Sequence, residues 1–460
     1  MKRSKKLLSL LLVLAVLIAA TAAVSLYTQE QEVQEDTATV VFTLDKDTVT
    51  KIGWDYSEEI SFTAGEDGWV YEDDPAFPVE ESYLDAMLES LAEVKASRNL
   101  GTTDDLDQYG LEVPVCVVTV TTDETHTLSI GHETAVGGER YFSNGDGNVY
   151  LVDSGLLESF SYGLYDILKT ETVPQVESLS GMLVETEESS YRLVYEEASG
   201  KAYSDEYVWF LGDKALDTEL TQSLISMVTD LNLAQCVDYN AQDLAQYGLD
   251  DPSVKATVYD GGKKAFTVEV GSEKDDQCYV RLAGSNMVYQ VDSQLRNTLM
   301  YSTYADLRPD EVIKLDWDTV DSVTVTLDGQ DYTLIRQTQE VTDEEGSTTQ
   351  QTQWTLDGEE TEFGSTLESL TDMDSSGYAS GLQPEGTPWI TFSIHRDQQD
   401  YSLVTLAFYP YNSTDCIVML NEEATVTVDR EDAHRLQQNA LCKLPNLACQ
   451  VGQFVREASG

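Results

Sequence analysis

The sequence predicts an α+β chain, made of tandem repeats of mainly antiparallel sheet with one principal covering helix per unit, behind an N-terminal transmembrane helix. Three observations carry this. Leu106-Asp107-Gln108-Tyr109-Gly110-Leu111 with Pro114 returns as Leu244-Ala245-Gln246-Tyr247-Gly248-Leu249 with Pro252, at an offset of about 138 residues. Around both copies, short runs of alternating apolar residues are broken by Gly- and Asp-rich turns, the pattern of half-buried strands joined by hairpins. Ahead of everything, residues 7–26 are an uncharged stretch of 20 residues.

That stretch would reach about 30 Å as a helix, enough to cross a bilayer core. Lys2, Arg3, Lys5 and Lys6 precede it, and a positive flank stays on the cytoplasmic side. Ala20-Thr21-Ala22 offers a small-residue cleavage site, so a cleaved signal peptide, leaving a secreted chain, is the competing reading. The anchor is preferred because the apolar run continues through Val24 and Leu26 and holds no cysteine for lipid attachment. The expected plan is a cytoplasmic tail (1–6), the anchor (7–26), an acidic tether (27–37), repeat units at 38–175 and 176–310, a divergent third unit at 311–450, and a C-terminal tail (451–460).

Within the first unit, Trp69-Val70-Tyr71 reads as a strand, and Leu84, Met87, Leu88 and Leu91 fall on one face of a helix. In the second, Val208-Trp209-Phe210 is the corresponding strand, and Leu220, Leu224, Met227, Val228 and Leu231 the helix face. After the shared turn Gly131 answers Gly271, Tyr141 answers Tyr279, and Val152-Asp153 answers Val291-Asp292. A third, weaker copy has Trp317, a hairpin about Asp328-Gly329, Trp354-Thr355-Leu356 as its tryptophan strand, and Phe363, Leu367 and Leu370 as its helix. Pro388-Trp389-Ile390 opens its next strand and Val428-Asp429 closes it, while the Tyr-Gly-Leu turn shrinks to Gly381-Leu382. The polar stretch 337–353 offers no apolar face and reads as a flexible hairpin tip.

Equivalent placement makes Trp69, Trp209 and Trp354 core anchors packing on the helices in preference to stacking platforms for sugar. In Tyr109-Gly110-Leu111…Pro114 and Tyr247-Gly248-Leu249…Pro252, the tyrosine packs, the glycine turns the chain, and the proline opens a strand where no ladder donor is needed. These are architectural residues, so the repeat itself carries no chemistry.

The formal net charge is −56, and without the four N-terminal cations 23 basic residues remain against 83 acidic ones. Such a chain repels nucleic acid and anionic lipid; its acid reads as a solvated surface that keeps the protein soluble. The 42 aromatic residues argue against disorder. No phosphate-cradling GxxxxGK[ST] or GxGxxG is present, nor GxSxG, and His126, His132, His395 and His434 are too dispersed for an HExxH zinc site. Asn144-Gly145-Asp146-Gly147-Asn148 begins like a calcium loop but has Val149 and Gly155 where that loop needs Gly and Glu, and reads as a hairpin turn. Neither a catalytic residue nor a metal or cofactor is expected. The six cysteines fit no zinc or CxxC pattern and do not coincide between repeats; Cys442 and Cys449 could bridge outside the cell.

An anchor followed by units of Trp strand, helix, Tyr-Gly-Leu-x-x-Pro turn and Gly/Tyr hairpin resembles the bacterial family designated domain of unknown function 4340, over most of the chain after residue 38. The resemblance implies an extracytoplasmic accessory protein, often encoded beside ABC-type export components of the gliding-motility kind. It brings no established activity and no catalytic residues. The leading expectation is therefore a non-enzymatic, membrane-anchored scaffold whose partner is an ABC-type permease and ATPase complex. A module for envelope glycan or an exported ligand is second, and a carboxylate-based hydrolase third.

Overall fold

A computed structural model describes residues 38–197, 199–342 and 348–444. The anchor at 7–26, the tail and tether around it, the C-terminal tail and Cys449 lie outside the described residues, and with Cys449 so does the proposed bridge. Among the described residues no helix is long and apolar enough to cross a membrane.

The described residues form three nine-stranded, mainly antiparallel sheets. In the first, β1 (Thr39–Thr43), β2 (Lys51–Asp55), β3 (Glu59–Gly65), β4 (Gly68–Tyr71), β5 (Glu93–Thr102), β6 (Cys116–Thr121), β7 (Thr125–Glu133), β8 (Glu139–Ser143) and β9 (Asn148–Asp153) pair in the order β1-β5-β9-β8-β7-β6-β2-β3-β4. The second is built of β10 (Leu179–Thr186), β11 (Ser190–Tyr195), β12 (Trp209–Leu211), β13 (Lys214–Leu216), β14 (Cys236–Asp238), β15 (Val254–Asp260), β16 (Lys263–Lys274), β17 (Gln277–Leu282) and β18 (Val288–Asp292). Its order is β14-β18-β17-β16-β15-β10-β11-β12-β13, so eight strands follow the path of the first sheet from β5 to β4.

The third sheet takes β19 (Val320–Leu327), β20 (Gln330–Thr342), β21 (Thr348–Leu356), β22 (Glu359–Glu360), β23 (Gly377–Tyr378), β24 (Ile390–Arg396), β25 (Leu403–Pro410), β26 (Asp415–Leu420) and β27 (Glu423–Asp429). They pair as β23-β27-β26-β25-β24-β19-β20-β21-β22, the same path again. By compactness the chain falls into two units. One holds residues up to Thr172 with Leu233–Gln242 and Asn286–Tyr289; the other holds Val173–Asn232, Asp243–Ser285 and Gln290 onward. The first sheet lies wholly in the former and the third wholly in the latter.

Helix Glu81–Leu91 buries Leu84, Met87, Leu88 and Leu91, the face its spacing predicts. Helix Thr218–Thr229 is rotated from expectation: it buries Thr221, Leu224, Ile225 and Val228, while Leu220 is exposed and Leu231 lies beyond its end. The i, i+3, i+4, i+7 stripe starts one residue later because Asp217 caps the helix through Leu220 N–H at 2.8 Å, which fixes the first turn with Leu220 outward. Phe363, Leu367 and Leu370 are fully buried beside the short helix Gly364–Glu368.

A second helix in each repeat, at Gly155–Glu158, Gln294–Tyr301 and Arg430–Lys443, was not expected. The closing Val-Asp pair starts it. Asp153, Asp292 and Asp429 each accept a hydrogen bond from the amide two residues on, at 2.8, 2.7 and 2.7 Å, satisfying a donor that the helix start would leave orphaned. The paired backbone also takes in most of the stretch expected to be a flexible tip: β20 and β21 stay in register from Leu334↔Leu356 to Thr342↔Thr348, and 343–347 lie outside the described residues. Ladder hydrogen bonds need no apolar face, so a polar Thr/Gln run can pair.

The cysteine reading is also corrected. Cys278 and Cys416 are both the second residue of equivalent strands, β17 and β26, and both are fully buried. Burial pushes their thiols up to about 11 and that of Cys116 up to about 12, which keeps all three protonated and unreactive at neutral pH.

On the open face of the first sheet Glu72 accepts hydrogen bonds from Lys51 at 2.7 Å, Ser61 at 2.6 Å and Thr63 at 2.8 Å, and these hold its carboxyl down at about 2. A depressed folded-state value stabilises above the ordinary carboxylate range and is lost as pH falls through the folded value. The urea midpoint of the first unit should therefore drop between about pH 5 and about pH 2, and drop less in Glu72→Gln, the two curves converging at the acid end. Parallel pH profiles would contradict this.

Candidate functional site

The residues singled out by the repeat assemble into packing devices. Tyr109 and Tyr247 end 3-10 turns capped by Gly110 and Gly248, whose φ values of 64° and 66° lie in the left-handed region. Leu111 and Leu249 are buried beneath. Each turn presses on a glycine of the facing hairpin: a β-carbon on Gly131 would lie 2.3 Å from the Tyr109 carbonyl oxygen, and one on Gly271 2.1 Å from that of Tyr247. The rings meet too, Tyr109 with Tyr141 at 4.8 Å and Tyr247 with Tyr279 at 5.0 Å. Pro114, Pro252 and Pro388 each stand two residues before a strand. Backbone pairing locates the third copy's equivalent of Gly131. Val115 N–H donates to Ile130 as Trp389 N–H does to Phe408, so Tyr409 stands where Gly131 and Gly271 do, and no Tyr-Gly-Leu turn could pack there.

Trp209 and Trp354 are 2% and 4% exposed, in the core as expected. Trp69 is only half-buried: it lies on β4, the edge strand, which pairs with β3 alone. The buried tryptophan of the first sheet is Trp54 on β2, stacked on Phe62 at 5.8 Å with its indole N–H donating to the Tyr162 carbonyl at 2.9 Å.

The calcium-like loop has spent its oxygens on itself. Asn144 accepts from Asp146 N–H at 3.0 Å, and Asp146 accepts from Asn148 N–H at 2.8 Å and from the Tyr150 hydroxyl at 2.6 Å. Among the described residues, hydrogen bonding of this kind also holds down the carboxyls of Glu72, Asp74, Asp306 and Asp415.

A concavity with chemical character lies in the second unit, where residues of the second and third sheets converge on a cavity of about 210 Å³. Tyr203 and Tyr207 come from the connection between β11 and β12, Lys214 opens β13, Tyr304 heads the short helix Tyr304–Leu307, and Arg308 and Glu311 follow it. Tyr378 closes the far wall from β23. The connection is held in place by the third sheet: Lys314 N–H donates to the Tyr203 hydroxyl at 3.1 Å, the Tyr401 hydroxyl to the Lys201 carbonyl at 2.8 Å, and Arg396 to the Tyr203 carbonyl. The helix is fixed by its own Thr303/Asp306 capping box and by Asp217 N–H donating to the Leu307 carbonyl at 2.8 Å. The walls are thus set before any ligand arrives.

Inside, the Tyr207 hydroxyl donates to Glu311 at 3.1 Å, and the Lys214 amine sits 4.7 Å over the Tyr304 ring and 3.5 Å from the Tyr378 hydroxyl. The Tyr304 and Tyr378 rings meet edge to face at 5.5 Å. Burial pushes the Tyr203 phenol up to about 12 and raises those of Tyr207 and Tyr304, so all three stay protonated donors at neutral pH. Tyr304 and Tyr378 stand 139 residues after Tyr165 and Tyr239, whose rings also meet, at 6.1 Å, so this pair recurs with the repeat. The residues sit on connections and edge strands and come together through the packing of two sheets.

The chain matches no curated protein and no solved structure. It does match a family, the domain of unknown function DUF4340, at residues 69–207 and again at 211–388. Each match opens at or just past a tryptophan strand, so the family's unit is out of phase with the sheets and runs from the last strands of one into the first of the next. With two matches over most of its length, this chain belongs to the DUF4340 family.

Proposed function

We propose that this protein is a non-enzymatic, membrane-anchored accessory subunit, held by residues 7–26 with the bulk of the chain outside the cytoplasm, and that it serves as a scaffold for an ABC-type transporter complex. The observation that carries the reading is what the repeats preserve. Three sheets keep one strand path; all three share strand-opening prolines and helix-starting aspartates, and the first two also share turn glycines and packing tyrosines. Repetition that preserves shape and drops chemistry suits a body whose work is to present surface. The charge of −56 favours basic partner faces and disfavours nucleic acid.

The test is a mild-detergent pull-down of the full-length protein from its native membranes, with crosslinking and mass spectrometry. Recovery of a permease and an ATPase crosslinked to residues 38–444 is the expected result. Recovery of the protein alone, soluble and trimmed at its N-terminus, would remove both anchor and scaffold.

A further inference from the structure

We infer that the cavity walled by Tyr203, Tyr207, Tyr304 and Tyr378 is a binding site for a small hydroxylated ring carrying one anionic group, an acidic sugar of monosaccharide size. At about 210 Å³ it is smaller than the roughly 300–1,000 Å³ of sites for drug-sized ligands, which sets the scale at a single ring. Tyrosines supply flat apolar faces for the ring's C–H groups and hydroxyls that donate and accept for its oxygens.

The charge comes from Arg308 and Lys214. Among 27 basic residues against 83 acidic ones, two face this cavity. Arg308 is 8% exposed and is poorly answered. One terminal nitrogen donates to the Pro309 carbonyl at 2.7 Å and the other to the Ser375 hydroxyl at 3.1 Å, while Nε has no hydrogen-bond partner among the described residues. Its ion-pair partner, Asp310, is 3.7 Å away with a side chain 78% exposed. A guanidinium taken that far out of water costs free energy unless an anion answers it. Among the described residues the Lys214 amine meets the ring of Tyr304 and the hydroxyl of Tyr378 and no carboxylate, and its flexible stem lets it turn to a ligand. Glu311 does not cancel this charge, because it already accepts from Tyr207 and faces Lys314 at 3.7 Å. Glu423 also lines the cavity, but at an exposed position where water answers its charge. The charge withdrawn from water without a close partner is that of Arg308, and this selects an anion.

The inference does not depend on a transporter partner and is tested on the purified full-length protein in detergent. Isothermal titration would compare glucuronate and glucose 6-phosphate with glucose, which has the ring without the charge, and acetate, which has the charge without the ring. At least one anionic sugar should bind tenfold or more tightly than glucose and acetate, and which of the two does so separates carboxylate from phosphate as the source of charge. Lys214→Gln, at an exposed position that leaves folding intact, and Arg308→Gln should each weaken that binding tenfold or more. Absence of binding by both anionic sugars, equal binding of glucose, or wild-type affinity in Lys214→Gln would overturn the assignment.

Discussion

Trp54→Ala should destabilise the first unit by about 3–5 kcal/mol, whereas Trp69→Ala should cost less than about 1 kcal/mol. Trp54 is 2% exposed on β2, between β6 and β3, so removing its ring opens a void bounded by paired strands that cannot collapse inward. It also abandons the Tyr162 carbonyl that the indole satisfies. Trp69 keeps one face in solvent, and the contact recorded at its backbone, an amide donating to Glu81 at 3.2 Å, survives truncation of the side chain. Urea unfolding followed by near-ultraviolet circular dichroism would compare the two. Equal losses would mean that Trp69 is a core residue after all and that tryptophan placement is uniform across the repeats.

That contrast marks where the sequence could be read and where it could not. Recurrence at a fixed offset identifies Tyr109 with Tyr247 and Gly131 with Gly271, because packed backbone tolerates no substitution there and the letters persist. Trp69 shares its offset with Trp209 yet differs in burial. Trp209 on β12 has β13 beyond it as a further strand, and Trp69 on β4 has none, a difference in pairing that the letters around each tryptophan do not encode. The starts of the first and third units were legible and passed over: Leu44-Asp45-Lys46-Asp47-Thr48-Val49 and Leu315-Asp316-Trp317-Asp318-Thr319-Val320 share an Asp-x-Asp-Thr pattern. In both, the first aspartate accepts from the second's amide and its carbonyl accepts from the threonine hydroxyl at 2.7 Å. Of the tyrosine cavity, the letters carry only the recurrence of Tyr165 and Tyr239 as Tyr304 and Tyr378. Tyr207 and Tyr378 are 171 residues apart, and only the third sheet's hold on the β11–β12 connection through Arg396 and Tyr401 brings them together.

Gly271→Ala should cost the second repeat about 1–3 kcal/mol or more, and Gly131→Ala should do the same in the first. The β-carbon would lie 2.1 Å from a backbone oxygen, and unlike a flexible side chain that oxygen cannot swing aside. The turn would have to lift as a body, separating Tyr247 from Tyr279 and drawing Leu249, 1% exposed, toward water. Gly248→Ala carries its own cost, about 1–2 kcal/mol for a φ of 66°, with its β-carbon 2.8 Å from the Ser272 amide nitrogen. The two substitutions stress the same turn, and once it has lifted the second clash is already relieved, so the double variant should cost less than the sum of the singles. Hydrogen exchange across 244–256, read beside urea midpoints, would locate the loss in the turn. The third repeat shows the same coupling from the other side: with Tyr409 at the facing position, the turn opposite is cut to Gly381-Leu382. Strict additivity would mean that turn and facing glycine are separate features, and their joint disappearance from the third copy would then have no packing reason.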